Sequence, residues 1–344
     1  MTVSASVIDV ARQAGVSIGT VSNVLNRPDR VAPRTRARVL AAIDELGYVR
    51  NEAARQLRAG RSRTIGLIVL DVGNPFFTDM AAGVEQAAAE SDLSVILCNS
   101  GADPDREDHY LSLLQEQRSY GILITPQAKQ SSRIAQIRQH GTPIVFVDRT
   151  SARHQCSVSV DDLVGGELAT AHLLALGHQK IMFVGGPLTI RQVGDRLAGA
   201  RAAARKAGLA EKAIRVIETA GLVVAAGRQA GADIAGMSAG DRPTAVFCAN
   251  DLIALGLLQE MTRRHLHVPG DLAIVGYDDI DFAAAAAVPL TSVAQPRAQL
   301  GRAATELLIE EVESPQDHQH RQVIFDPNLI IRDSTVAGSP PNPS

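Results

Sequence analysis

The sequence predicts an all-α helix-turn-helix head followed by an α/β body of two doubly wound parallel-sheet lobes. Three observations carry this. Residues 7–26 read as two short helices around a tight turn. From Thr64 onward, apolar strands alternate with amphipathic helices. The charge of the 344-residue chain is also divided between these two parts.

In the head, Ser6 stands three residues before Asp9, a capping-box variant that opens a helix. Val7, Val10, Ala11 and Ala14 form an apolar stripe, and Gly15 supplies the left-handed residue that a tight turn needs. Ser17 caps the second helix, from which Val21, Val24 and Leu25 turn inward. Ser17, Ile18, Gly19, Thr20, Ser22 and Asn23 are left facing outward. A small helix with short polar side chains on its exposed N-terminal half is what a DNA major groove admits. Gly15-Val16-Ser17-Ile18-Gly19 also matches the G-x-S-x-G nucleophile elbow of hydrolases, but that motif needs a preceding strand, and here a helix precedes it.

A turn at Arg27–Arg30 leads to a third helix from about Pro33 to Leu46, closed by Gly47. Its Val39, Leu40, Ile43 and Leu46 are expected to complete a three-helix core, while Arg34, Arg36 and Arg38 point elsewhere. Thr35 and Tyr48 are candidate phosphate donors. Asn51 then caps a short segment, EAARQLRA, ending at Gly60 and too poor in apolar residues to be a stable helix alone. The head is thus 1–50, and 51–60 is a linker that folds only against a partner.

Residues 1 to 63 hold 11 Arg, no Lys and 5 acidic residues, a balance of +6; the remainder carries 23 basic and 32 acidic residues, or −9. A basic head on an acidic body fits a polyanionic partner for the head alone. Cys98, Cys156 and Cys248 are far apart, an odd number with no metal-site spacing, and read as small buried hydrophobes in a reducing cytoplasm. The pairs His265/His267 and His318/His320 lie in polar sequence and are expected to be solvated. No apolar run has membrane-spanning length, and the N-terminus lacks a secretory signal pattern, so a cytoplasmic protein is expected.

In the body, strands are expected at 64–70, 93–98, 121–125, 143–147, 156–160, 180–185, 214–218, 244–248, 271–276 and 291–294. Helices are expected at 75–91, 104–118, 131–140, 161–177, 191–208, 224–238, 250–266 and 296–313. So many strands divide into two lobes, 61–162 with 293–322 and 163–292 with 323–335. The Pro-rich 336–344 is expected to be disordered. Doubly wound sheets bind ligands at the carboxyl ends of their strands, which places a ligand between the lobes.

Taken together, DVARQAGVSIGTVSNVLN, TRARVLAAIDELGYVRNEAARQLR, LGHQKIMFVGGP, RPTAVFCANDLIALG, VPGDLAIVGYDDI and PLTSVAQP closely resemble the lactose-repressor (LacI/GalR) family of bacterial transcription regulators, from Val7 to about Asp333. The resemblance implies that Ile18, Gly19 and Asn23 choose the bases. Asn suits an adenine edge, and Ile18 offers only apolar contact. Ser17, Thr20, Ser22, Asn26 and Thr35 match the set that positions the DNA backbone. The linker becomes a hinge helix whose Leu57 wedges into the minor groove, with Arg55 and Arg58 at phosphates or groove edges. Two such helices must pair, which implies a homodimer on a near-palindromic operator of double-stranded DNA. The leucine heptad of tetrameric relatives is missing.

The body resembles periplasmic sugar-binding proteins. Asp148 closes FVD, Asn250 closes FCAN, Asp278 closes GYD, and Arg196 follows GGPLTIRQVGD; all four match polar effector positions of sugar-binding members. Carboxylates accept sugar hydroxyls, and Arg or Asn donates to them. Phe76 and Phe77, after Asn74-Pro75, offer an apolar face to a sugar ring. Leu222 stands where many relatives place an aromatic lid, and Ile190 replaces a polar residue of the purine-responsive branch, which argues against a purine.

The expectation is a sequence-specific DNA-binding regulator, a repressor of carbohydrate-utilisation genes with a small sugar-like effector, no cofactor, no metal and no enzymatic activity. Control by a protein co-repressor or a non-sugar metabolite is the alternative. A sugar-binding transport protein and a doubly wound enzyme are disfavoured by the Arg-rich head and by the lack of a phosphate loop or nucleophile-base set.

Overall fold

The computed structural model describes residues 5–48, 62–127, 132–150, 154–210 and 213–336. Contacts divide the chain into two units, Met1–Ser62 and Arg63–Ser344. The linker residues and the tail beyond Val336 lie outside the described residues.

The head contains α1 (Val7–Ala14), α2 (Ile18–Asn26), a 3-10 turn at Pro28–Arg30 and α3 (Pro33–Leu46). The capping box is reciprocal: the Asp9 N–H donates to Ser6 Oγ at 3.3 Å, and the Ser6 N–H donates to Asp9 Oδ2 at 3.0 Å. Gly15 (φ 59°) ends α1 and Gly47 (φ 56°) ends α3, both left-handed as the sequence requires. Val10, Ala11, Ala14, Val21, Val24, Val39 and Ala42 form the buried core. Leu40 departs from expectation and is 42% exposed. The inward stripe of α3 follows Val39, Ala42, Ile43 and Leu46, and a residue adjacent to Val39 is rotated about 100° away from it.

The body is two six-stranded sheets. The first lobe holds β1 (Thr64–Val69), β2 (Ser94–Asn99), β3 (Gly121–Ile124), β4 (Ile144–Val147), β5 (Ser157–Val160) and β11 (Gln322–Phe325), in the order β11-β5-β4-β3-β1-β2. The second holds β6 (Ile181–Val184), β7 (Ile214–Ile217), β8 (Ala245–Cys248), β9 (Ala273–Asp278), β10 (Thr291–Ala294) and β12 (Asn328–Ile330), in the order β12-β10-β9-β8-β6-β7. All pairings are parallel except β10 with β12. The helices are α4 (Pro75–Glu90), α5 (Pro104–Glu116), α6 (Ser132–Gln139), α7 (Asp162–Ala175), α8 (Arg191–Lys206), α9 (Val224–Ala235), α10 (Asp251–Arg263), the short α11 (Asp281–Ala284) and α12 (Arg297–Glu313).

All ten expected strands are present, with no end moved by more than two residues. β11 and β12 were not expected: QVIF and NLI are short edge strands, half exposed, and pairing rather than pattern makes them strands. They also correct the lobe boundaries. The break expected at 292/293 falls inside β10, which pairs with β9, so the chain crosses back only after Ala294. The break expected at 322/323 falls inside β11, which pairs with β5 and keeps the chain in the first lobe through Phe325.

Three helix pairs pack at backbone distance through reciprocal glycines. A Cβ on Gly83 of α4 would strike the Ala298 carbonyl of α12, and one on Gly301 would strike that of Met80. Gly166 of α7 and Gly199 of α8 lie likewise against the carbonyls of Arg196 and Leu163. Gly227 of α9 and Gly256 of α10 repeat the arrangement against Ile253 and Val224. Close packing of this kind leaves each helix no freedom to slide, which fixes the residues that point toward the strand ends. Among the described residues, no helix is long and apolar enough to cross a membrane.

Candidate functional site

The carboxyl ends of β4, β8 and β9 converge on a cavity of about 550 Å³ between the lobes, inside the size range of small-molecule sites. All seven effector candidates, Phe76, Phe77, Asp148, Arg196, Leu222, Asn250 and Asp278, line it. Asp148 follows β4 at φ 55° and Asp278 ends β9 at φ 102°. Non-glycine residues held in this region carry backbone strain, of a kind concentrated at ligand sites.

Arg196 is the electrostatic centre. Its Nε donates to Asp162 Oδ1 at 2.8 Å and its Nη1 to the Ala249 carbonyl at 2.6 Å. Nη1 also lies 3.8 Å from Asp278 Oδ1, and the guanidinium sits 3.6 Å over the Tyr277 ring. Burial works against its charge, but Asp162, Tyr277, Asp278 and Asp148 together keep it protonated. Three buried carboxyls share this one cation, which cannot neutralise all of them. Burial, reinforced by the charge of Asp162 and opposed by Arg196, pushes Asp148 up to about 8. Burial likewise raises Asp278 to about 6, against Arg196, Gln295 and Asn74.

Asp278 and Asp148 are held differently. Gln295 Nε2 donates to Asp278 Oδ1 at 2.7 Å, and Gln192 Nε2 donates to Asp148 Oδ2 at 2.8 Å. Asp148 Oδ1 is buried without a hydrogen-bond partner among the described residues. Asn250 is already committed: its Oδ1 accepts the Ile253 N–H at 3.0 Å as the cap of α10, and its Nδ2 donates to the Leu222 carbonyl at 3.1 Å. It shapes the wall. Phe76 and Phe77 meet edge to face at 5.0 Å, buried in the first lobe's core while also lining the cavity.

Sequence reasoning missed Asp71, Gln127, Thr189 and Gln192, all cavity-lining. For Gln192 a signal was present, because it stands one turn before Arg196 on the same helix face. Asp71 and Gln127 sit in loops whose path no periodicity encodes.

In the head, Ser17 Oγ accepts the Thr20 N–H at 3.1 Å and pairs with Thr20 Oγ1 at 2.9 Å. Asn26 Nδ2 donates to the Ser22 carbonyl at 2.8 Å. Ser17, Ile18, Gly19, Asn23 and Asn26 are exposed, Thr20, Ser22, Thr35 and Tyr48 half-buried. Tyr48 packs on the helical core while staying partly exposed. Arg55, Leu57 and Arg58 lie outside the described residues. One expectation is corrected: His265 and His267 are exposed as anticipated, but the His318 side chain is only 2% exposed. The register Gln322↔Ser157 folds the segment after α12 against Cys156, a contact no local pattern encodes.

A helix with a small, open outer face on a basic head, joined to a two-lobed receptor with a charged cleft, defines a ligand-responsive DNA-binding regulator. Residues 6–51 match the lacI family of bacterial regulatory proteins, and residues 170–335 match the periplasmic binding protein-like domain. The HTH-type transcriptional repressor PurR of Aliivibrio salmonicida is 34% identical over 96% of this chain and 98% of its own length. The ribose operon repressor of Escherichia coli is 36% identical over 92% of this chain and 96% of its own. Among solved structures, the lac repressor dimer bound to operator and the anti-inducer ONPF has a TM-score of 0.83 at 27% identity, covering 97% of this chain and 100% of that one. A LacI family regulator from Enterococcus faecium with bound ribose has a TM-score of 0.73 at 28% identity, covering 80% and 100%. The chain belongs to the lacI family of bacterial regulatory proteins, whose members regulate transcription by binding DNA under the control of a small effector.

Proposed function

We propose that the cleft takes a monosaccharide or a close derivative, and that the chain, as a homodimer on a near-palindromic operator, represses carbohydrate-utilisation genes in a manner set by that ligand. The observation that carries this is the unpartnered Oδ1 of Asp148, a buried carboxyl oxygen in a cavity that also holds Asp278, Arg196 and the Phe76–Phe77 pair. A sugar supplies hydroxyl donors to the carboxyls and an apolar ring face to the phenyl groups. The ribose operon repressor and the ribose-bound regulator support this class. A non-sugar metabolite is the second reading, in keeping with the PurR relatives, and purines are the case to test; Ile190 at the cavity wall opposes a purine because it offers no polar edge.

In this proposal Ile18, Gly19 and Asn23 face the bases, and Ser17, Thr20, Ser22, Asn26 and Thr35 position the backbone. The segment with Arg55, Leu57 and Arg58 folds in pairs at the operator centre. Closing the lobes around ligand changes how the dimer holds its two hinges, and a coupling of about 1–3 kcal/mol changes operator affinity roughly 5- to 150-fold.

The test is calorimetric titration of the full chain with pentoses, hexoses and purine bases, followed by operator binding with and without whichever ligand binds. Operators come from selection in a random duplex pool. A sugar that binds and moves operator affinity supports the proposal; a purine that does so while no sugar binds replaces it with the second reading. Leu57→Ala should leave the fold intact and weaken operator binding at least about tenfold, with unchanged affinity removing the wedge from the scheme.

A further inference from the structure

We infer that Cys156, Glu311, His318 and His320 form a tetrahedral zinc site at the edge of the first lobe, built from residues that do not line the cleft. Cys156 Sγ lies 3.1 Å from His318 Nε2 and 3.7 Å from His320 Nδ1, and His318 Nε2 lies 4.0 Å from Glu311 Oε2. One donor atom from each of the four residues falls within 4.8 Å of all the others. Zinc bonds of roughly 2.0–2.3 Å put tetrahedral donors about 3.3–3.8 Å apart, so small side-chain adjustments complete the shell. One thiolate, two imidazoles and a carboxylate are borderline-soft donors that suit zinc and disfavour magnesium or calcium.

Two further features point to a cation. Glu311 Oε2 is buried with no hydrogen-bond partner among the described residues, an arrangement that a thiol–imidazole hydrogen bond alone leaves unexplained. The outer face of His318 is built as metal-ligating histidines are: its Nδ1 meets Glu310 Oε1 at 3.2 Å, and Arg321 holds both oxygens of Glu310 at 2.8 and 2.6 Å. Donation from Nδ1–H to that carboxylate leaves the Nε2 lone pair directed toward Sγ. The thiolate and Glu311 together balance a divalent charge, and exposed His320 gives the ion a path from solvent.

The ligands come from the residue just before β5, the last turn of α12 and the connection into β11. An ion there staples the returning chain to the sheet and secures an edge strand whose QVIF sequence alternates between exposed and half-buried positions. The site is independent of the proposed effector.

Untagged full-length protein, stripped with a chelator, is titrated with Co²⁺ and then Zn²⁺. Expected are one equivalent of cobalt, a thiolate-to-cobalt charge-transfer band with the intense visible bands of tetrahedral cobalt, loss of these on adding zinc, and a rise in unfolding temperature with zinc. Cys156→Ser abolishes the charge-transfer band, whereas Cys98→Ser and Cys248→Ser keep it. Glu310→Gln weakens zinc affinity about 10- to 100-fold. His320→Ala, at an exposed position that leaves the core intact, weakens it at least about tenfold and covers the case in which Cys156→Ser fails to fold. No charge-transfer band in the parent chain, the same band in Cys156→Ser, or zinc affinity unchanged in His320→Ala overturns the inference.

Discussion

The side-chain Nε2 of Gln192 in one lobe donates to both the side chain and the main chain of Asp148 in the other, at 2.8 Å to Oδ2 and 2.6 Å to the carbonyl oxygen. Two hydrogen bonds from a single amide therefore bridge the cleft. Asn74 of the first lobe also faces the same cavity as Asp278 of the second and helps hold the Asp278 carboxyl down against burial. Residues that line the cavity are thus also the residues that hold it closed, which links ligand occupancy to the relation between the lobes.

Gln192→Ala removes the first bridge and leaves a buried carboxyl with neither oxygen paired, a loss of about 1–3 kcal/mol. Expected are a lower unfolding temperature and roughly tenfold weaker effector binding, because the closed lobe arrangement is populated less. Calorimetry and thermal unfolding on the same sample check this. Unchanged affinity with a lowered melting point would make the bridge purely structural.

The pH dependence of stability follows from the two raised carboxyls. Asp148 and Asp278 keep protons in the native state that the unfolded chain releases near its ordinary pKa of about 4. More protons are then bound to the folded than to the unfolded state, so the contribution of these groups to stability falls as pH rises from about 4, through about 6 for Asp278 and about 8 for Asp148, and is level beyond. Asp148→Asn/Asp278→Asn should flatten this slope. Urea unfolding at about pH 5, about pH 7 and about pH 9 measures it, and parallel curves for the parent and double variant would refute the assignment.

Gly166→Ala tests what positions the central cation. Its new methyl group would strike the Arg196 carbonyl and force α8 away from α7, taking Arg196 from Asp162 and Asp278. Overpacking of this kind costs about 1–3 kcal/mol. Effector affinity should fall alongside the melting temperature, and it should fall further than in Gly177→Ala, which strains a left-handed position (φ 89°) outside the helix but strikes no neighbour.

Gly19→Ala separates fold from recognition in the head. A Cβ there meets only Ser17 Oγ, at 3.7 Å, and alanine favours the helix by about 1 kcal/mol. The head should be equally or more stable, while the bases selected from a random pool change beneath that residue. An identical selected sequence would take Gly19 out of the groove-facing set.

Local chemistry made the head legible almost completely. Ser6, Gly15, Ser17 and Gly47 each have a cap or turn role that a short stretch of sequence dictates, and each is found in it. Leu40 was misplaced because helical spacing tolerates neighbouring faces until a partner helix selects one. The strands of the body were legible because parallel strands buried on both faces are continuous apolar runs. β11 and β12 lack such runs and owe their conformation to the strands beside them.

What the sequence determined by itself was the order of elements and the residue types that end the strands, since caps, periodicity and apolar runs act over a few residues. Only the tertiary structure decided how one cation is shared among Asp148, Asp162 and Asp278, which glutamine closes the cleft, and that a histidine in a polar segment is buried against Cys156. Those outcomes depend on contacts between residues tens to more than a hundred positions apart, and on the burial that makes an unpaired charge costly, neither of which a local pattern encodes.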